Sequence, residues 1–278
     1  VFGSWTTLTR IDRDARPLME SVGRMFRARL PVLTFRAPHL PDWQPPVARA
    51  GRIRVGILSE YLSSHTVGKL CQGLIAQLDR GRFEVLAIHA LAAPAPDSLR
   101  EAIDRLADRS VTLPPGLAAQ QQVVAALQLD VLFYPDIGMS PTTYFLAFAR
   151  LAPVQAVGWG HPDTSGLDTL DYFVSADPIE PQDADAHYTE RLIRLSRLPC
   201  FYQPLVAPTR IPDRAALGLP EEGTLYVCPQ SLFKFHPDFD SILAGILASD
   251  PSGLVVLLRG SYEYAEHQLR QRFARTFG

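Results

Sequence analysis

From Arg52 onward the chain alternates short apolar runs with longer helical patterns, and that alternation restricts the fold more than any other feature of the sequence. The run from Ile53 to Leu58 is followed by a helical pattern after His65. The run from Phe83 to Ile88 is followed by one from about Ser98, and Ser110 to Leu113 by one near Leu117 to Leu127, before Asp130 to Tyr134 closes the series. Further strands are predicted at Val154 to Val157, Tyr172 to Ser175 and Leu192 to Leu195. Strands joined through helices lie parallel, because a parallel neighbour needs a long crossover, and helices then cover both sheet faces. The connections are expected to be right-handed.

Two breaks in texture divide the chain. Before Arg52, the spacing of Ile11, Leu18, Val22, Met25, Phe26 and Leu30 predicts an amphipathic helix over residues 11–30, followed by a proline-rich linker or strap from Pro31 to Pro46. A second proline-rich stretch runs from Leu198 through Pro204, Pro208 and Pro212. After it Leu225 to Cys228, Leu254 to Leu258 and a polar helix from about Glu263 open a new set of strand and helix units. The expected organisation is therefore a helical segment with a proline-rich linker at 1–50, a Rossmann-like lobe at 51–210 and the beginning of a second lobe at 211–278. A doubly wound sheet usually has about five or six strands, so the second lobe reads as incomplete.

Composition removes several function classes. With a formal net charge of −2 and arginines scattered among acidic residues, there is no basic stripe for nucleic acid. Cys71, Cys200 and Cys228 are odd in number and widely spaced, as expected of thiols in a reducing compartment, so a cytoplasmic location is expected. No apolar run is long enough to cross a bilayer as a helix. The sequence starts at Val1 rather than Met, which reads as a piece of a longer protein, and without any Asn it cannot itself carry an N-linked sugar.

The turn after the first predicted strand carries a single glycine, Gly56, before Ser59 and Glu60, so it is no dinucleotide fingerprint. His65 to Lys69 lacks the leading glycine and spacing of a phosphate-binding P-loop. That turn does place His65 at the carboxyl end of the strand, the edge where open α/β sheets take ligands. There it either caps a helix or, with a side-chain pKa near neutrality, serves as a general base. The segment from Leu151 to Gly166 runs a strand into a loop with Gly158, Gly160, His161, Thr164 and Ser165, a composition suited to a phosphate or sugar. Asp136 ends another strand on the same predicted edge and reads equally as a turn stabiliser or a substrate contact. Asp183 with Asp185, and Asp238 with Asp240, are Asp-x-Asp patterns in a surface segment and at a helix start, and both read as structural. The seven histidines show no metal-ligand spacing, and no metal is expected.

Lys234 stands apart as one of only two lysines in an arginine-rich chain, within the unusual run from Cys228 to Asp240. A compact ammonium suits a diphosphate where a planar guanidinium does not. Arg52 to Gly56, Ser64 to Gly68, Leu151 to Ala156 with Gly160 to Leu167, Leu170 to Phe173, Tyr188 to Glu190, and Pro229 to Pro237 form an ordered set of motifs. In that order they resemble one superfamily, the SPINDLY-type O-linked N-acetylglucosamine transferases and the bacterial HMW1C-like N-glucosyltransferases of glycosyltransferase family 41. The resemblance runs from about residue 52 to the end.

This resemblance implies a GT-B-like α/β fold of two Rossmann-like lobes preceded by helices. It also implies inverting, metal-independent transfer of GlcNAc or glucose from a UDP-sugar to a Ser/Thr or Asn side chain, with no cofactor beyond that donor. UDP-sugar and a protein or peptide acceptor are the implied partners. Lys234 matches the family lysine that contacts the diphosphate, with Gln230 and Ser231 in neighbouring nucleotide-contacting positions. His65 and His161 match its two lobe histidines. Asp136, Gly160 and Thr164 are then candidates for an acceptor or sugar loop. A His-Thr-Thr-like phosphate turn and an acidic ribose contact, which the family carries farther on, are not among these 278 residues. Two other readings stay open: a non-catalytic homologue that binds sugar nucleotide or protein, and a GT-B enzyme acting on a small molecule or glycan.

Overall fold

In the computed structural model, which describes residues 14–45, 51–92, 95–158, 160–204, 207–259 and 263–276, the predicted alternation becomes a parallel sheet. Its strands are β1 (Ile53–Ser59), β2 (Phe83–His89), β3 (Arg109–Thr112), β4 (Val131–Tyr134), β5 (Val154–Gly158), β6 (Tyr172–Ala176) and β7 (Arg191–Leu195). They lie side by side in the order β3-β2-β1-β4-β5-β6-β7, every pair parallel. The order reverses between β1 and β4. Sequence proceeds outward from β1 to β3, then returns to lay β4 on the other side of β1 and runs outward again.

The helices are α1 (Arg16–Arg29), α2 (Thr66–Gln77), α3 (Ser98–Leu106), α4 (Leu117–Ala126) and α5 (Pro141–Ala147). Strand alternation sorts the core into two layers. Ile57, Val85 and Ala87 face one way and pack with Ile75 of α2 and Ile103 of α3. Leu58, Leu86, Ile88, Leu132 and Tyr134 face the other way and pack with Val124 of α4 and with Tyr144, Leu146 and Ala147 of α5. A parallel strand buried on both sides needs apolar residues at successive positions, which is why these runs are continuous rather than alternating. Each fully buried Leu, Ile or Phe contributes roughly 1.5–3 kcal/mol relative to exposure.

Ile11 of the predicted first helix, and the boundary expected near residue 50, lie outside the described residues. The helix itself starts at Arg16, with Pro17 in its first turn, where a missing N–H costs nothing. The proline-rich stretch forms a 3-10 helix, Pro31–Thr34, that buries Leu33 completely. It continues as a strap: Ala37 N donates to Arg150 O at 2.8 Å, Arg150 N donates to Phe35 O at 2.9 Å, and Trp43 Nε1 donates to Asp130 Oδ1 at 2.7 Å.

Residues 1–204 form one compact unit and residues 205–278 a second. The second contains the parallel pair β8 (Leu225–Cys228) and β9 (Leu254–Leu257), with α6 (Phe239–Ser249) and α7 (Glu263–Thr276). Phe235, Leu243 and Leu269 form its small buried core. Arg272 grips Asp240 through Nε at 2.6 Å and Nη2 at 2.9 Å, joining α7 to α6.

Candidate functional site

The reversal between β1 and β4 makes the carboxyl ends of these strands the switch-point edge, where open α/β sheets take ligands in a crevice. Ser59 ends β1 and Asp136 lies two residues beyond β4, so the topology itself brings them together. Ser59 Oγ donates to Asp136 Oδ2 at 2.9 Å, and Glu60 N donates to the same oxygen at 3.1 Å. Ser140 Oγ, the cap of α5, donates to Glu60 Oε2. Asp136 is fully buried, and its Oδ1 has no hydrogen-bond partner among the described residues. Burial pushes its pKa up to about 7, opposed by the hydrogen bonds from Ser59 and Glu60 and assisted by the Glu60 charge. Near neutrality, then, this carboxyl holds a proton for part of the time.

His65 caps α2, its Nδ1 accepting from Val67 N at 3.2 Å, and its ring stacks on Tyr61 with centroids 4.4 Å apart. Burial, with a smaller push from the Lys69 charge, lowers the imidazole pKa and favours the neutral ring. With Nδ1 accepting, the neutral tautomer carries its proton on Nε2 and offers a donor, not a base. Capping and a contact role are therefore compatible in this histidine. Tyr61 OH donates to Met139 O at 3.3 Å, linking this group to the turn after β4.

That turn also packs against His161, in the loop after β5. Gly138 has φ +94°, and a Cβ there would lie 2.8 Å from His161 Cγ, so only glycine permits both the backbone conformation and the ring's approach. Gly160 N donates to Pro135 O at 3.0 Å, fastening the start of the histidine loop to the same turn. His161 is buried, and Asp163 beside it is pushed up by burial and held back by the His161 charge.

His65, Asp136, Gly160 and His161 thus share one edge of the first unit. Thr164 belongs to the far side of the same loop: its Oγ1 donates to Glu190 Oε2 at 2.6 Å and accepts from Thr189 N at 3.0 Å. Gln230, Ser231 and Lys234 lie in the second unit, on and beside the 3-10 turn Leu232–Lys234 that follows β8. All three are exposed, Gln230 Oε1 accepts from Ser231 N at 2.9 Å, and Lys234 makes no ion pair among the described residues. Among the described residues no group of three or more His, Cys, Asp or Glu side chains could hold a metal ion. Sequence reading passed over Ser59, Glu60, Tyr61 and Glu190. The position of Ser59 and Glu60 at the carboxyl end of the first strand was the available signal for the first two.

A family model for glycosyl transferase family 41 matches residues 34–201, which includes every strand of the first sheet and the whole crevice edge. The chain belongs to glycosyl transferase family 41. Relatives in this family include a probable UDP-N-acetylglucosamine–peptide N-acetylglucosaminyltransferase SEC of Arabidopsis thaliana. It is 24% identical over 253 residues, covering 86% of this chain and 26% of that protein. A UDP-glucose:protein N-β-glucosyltransferase of Actinobacillus pleuropneumoniae serotype 7 is 35% identical over 117 residues, 42% of this chain and 18% of that protein. The chain thus spans about a quarter or less of the length of these curated relatives. Among solved structures, a mutant O-GlcNAc transferase of Thermobaculum terrenum superposes with a TM-score of 0.70 at 25% identity, covering 81% of this chain and 42% of that one. The seven-stranded parallel α/β architecture is the GT-B-like fold of this family.

Proposed function

We propose that this family 41 chain serves inverting, metal-independent transfer of GlcNAc or glucose from a UDP-sugar to a Ser/Thr or Asn side chain of a protein. The observation that carries the reading is the match of the family model over the sheet and its crevice edge, and relatives named as UDP-GlcNAc:peptide and UDP-glucose:protein transferases support it. In this reading the acceptor atom attacks the anomeric carbon while the bond to the departing UDP breaks. The Lys234 ammonium, helped by Gln230 and Ser231, neutralises charge growing on the diphosphate. Of the two imidazoles, His65 accepts the cap bond at Nδ1 and so keeps its proton on Nε2, which leaves the acceptor proton to His161. Asp136 holds the β1 and β4 ends together beneath them, and Thr164 stiffens the loop that carries His161. No cofactor is required, and the reaction belongs in the cytoplasm, where the three free thiols and nucleotide sugars coexist.

The test is to incubate the purified protein with UDP-GlcNAc or UDP-glucose and peptide acceptors, and to read hexose or N-acetylhexosamine addition by mass spectrometry. Lys234→Ala is expected to lower transfer by about 100-fold or more, the scale of one lost electrostatic donor in a preorganised site. His161→Ala is expected to lower kcat by about 100-fold or more, as for a general base. Lys234→Ala, at an exposed position, should leave the melting temperature unchanged, whereas His161→Ala removes a buried ring and is therefore read as activity per folded molecule. Full activity in Lys234→Ala would remove the reading.

A further inference from the structure

The loop that carries His161 is pinned at both ends, and the second pin is a buried carboxylate to which nothing above gives a role. Glu190 immediately precedes β7 and is only 4% exposed. One of its oxygens accepts from Thr164 Oγ1 at 2.6 Å, while the other accepts from Ser165 N at 3.0 Å and from Ser165 Oγ. Those two hydroxyls are themselves committed: Thr164 Oγ1 accepts from Thr189 N, and Ser165 Oγ accepts from Leu167 N at 3.1 Å. Behind them Gly166, at φ +71°, lies flat against the backbone of Met19 in α1, which blocks retreat on that side. At the other end Gly160 is fastened to Pro135. His161, Pro162 and Asp163 are the only residues between the two anchors.

We propose that Glu190 is a positioning residue that fixes the His161 imidazole over Gly138 by clamping Thr164 and Ser165. A carboxylate does this because it is acceptor-only at both oxygens and all of its partners here are donors. The amide that Glu190→Gln introduces would have to turn a donor toward Thr164 Oγ1, which already accepts from Thr189 N and Gly166 N, or toward Ser165, whose N–H itself needs an acceptor. This substitution is nearly isosteric and should therefore loosen the loop without leaving a cavity, whereas Glu190→Ala removes the clamp. The kinetic part of this inference rests on the glycosyl-transfer reading. The structural part does not.

The test compares wild type, Glu190→Gln, Glu190→Ala and a destabilised control, Ile103→Val, whose side chain packs in the layer under α2 and α3. Histidine-selective NMR is read first. Both Glu190 variants are expected to shift or broaden the His161 resonance while His89, on β2, keeps its own, and Ile103→Val should leave His161 unchanged. With UDP-sugar and acceptor peptide, Glu190→Gln is expected to lower kcat by about 10-fold and Glu190→Ala by about 100-fold, the scale of an ångström-sized misplacement. KM for the UDP-sugar should change less than kcat, because the residues assigned to the nucleotide lie in the second unit. An unmoved His161 resonance in Glu190→Ala overturns the proposal. So does a kcat loss matched by the equally destabilised control. Wild-type protein inactive with every UDP-sugar would instead defeat the transfer reading, while the NMR result still decides the clamp.

Discussion

The two edges of the seven-stranded sheet use carboxylates in opposite ways. At the amino edge three aspartates each stand one residue before a strand and accept a backbone N–H from the neighbouring strand: Asp108 from Val85, Asp130 from Arg54 and Asp171 from Gln155, all at 2.7–2.8 Å. Two of them are also gripped by arginine, Asp108 by Arg52 and Arg80, and Asp171 by Arg150. Burial raises the Asp108 pKa, but the Val85 bond and the two guanidinium groups outweigh it and hold the carboxyl below its usual range. At the carboxyl edge Asp136 has serine and backbone donors, no arginine within ion-pair distance among the described residues, and one oxygen without a hydrogen bond among them. One edge surrounds its carboxylates with backbone donors and, at two of the three, arginines, whereas at the other edge a charge is costly and a proton is held. Perturbed groups of the second kind gather at functional sites because chemistry needs them there, and stability alone does not.

Three substitutions sharpen or break that contrast. The largest expected effect is in pH dependence. The folded-state pKa of Asp136 is raised to about 7, so its contribution to stability is complete below about pH 4 and is lost as pH rises through 7. The loss amounts to something on the order of 4 kcal/mol if the full shift operates. Asp136→Asn keeps an acceptor for Ser59 and Glu60 and cannot ionise, so its unfolding free energy by urea titration should stay flat between pH 4 and 8 relative to wild type. Parallel curves for the two proteins would show that the carboxyl edge holds no such proton.

Next in size is Arg150→Ala. The guanidinium bonds both oxygens of Asp171 at 2.8 Å and also reaches Thr169 O and Pro153 O. Its removal strands a half-buried carboxylate, and a cost of about 3 kcal/mol is expected in thermal or chemical unfolding. Activity per folded molecule should be unchanged, since nothing at the carboxyl edge touches it. Smallest is Trp43→Phe, which deletes one donor to Asp130 and should cost about 1 kcal/mol, read as an earlier urea midpoint with the same slope. Activity falling in either amino-edge variant, out of proportion to the unfolded fraction, would mean that the two edges are not independent.

Much of the scaffold was legible because buried parallel strands write continuous apolar runs, and seven strands were placed in the first unit, although the exposed edge strand β3 carries only Val111 of that texture. Their order was not, because nothing in the residues of β3 says that the next strand returns to the far side of β1. The strap was visible as prolines but its partners were not, since Arg36 meets Arg150 through tertiary proximity alone. At the site, His65 and His161 stood out as titratable groups in turn-rich segments. Asp136 and the Tyr188 to Glu190 motif were visible too, but neither the pairing of Asp136 with Ser59 and Glu60 nor the clamp from Glu190 to Thr164 and Ser165 was, because each joins segments far apart in sequence. The tautomer of His65 is likewise set by a cap bond that only the folded helix supplies.

The strap between Phe35 and Trp43 has a consequence for how this molecule is made. Its main-chain partner is Arg150 and its indole partner is Asp130, so during synthesis the segment leaves the ribosome with nowhere to bind until most of the sheet has followed it. The strap waits for residues translated about a hundred positions after it. A nascent chain stalled before Arg150 should present the strap, with Phe35 and Trp43, to chaperones or to its neighbours, and release should come once Asp130 and Arg150 are in place to hold it.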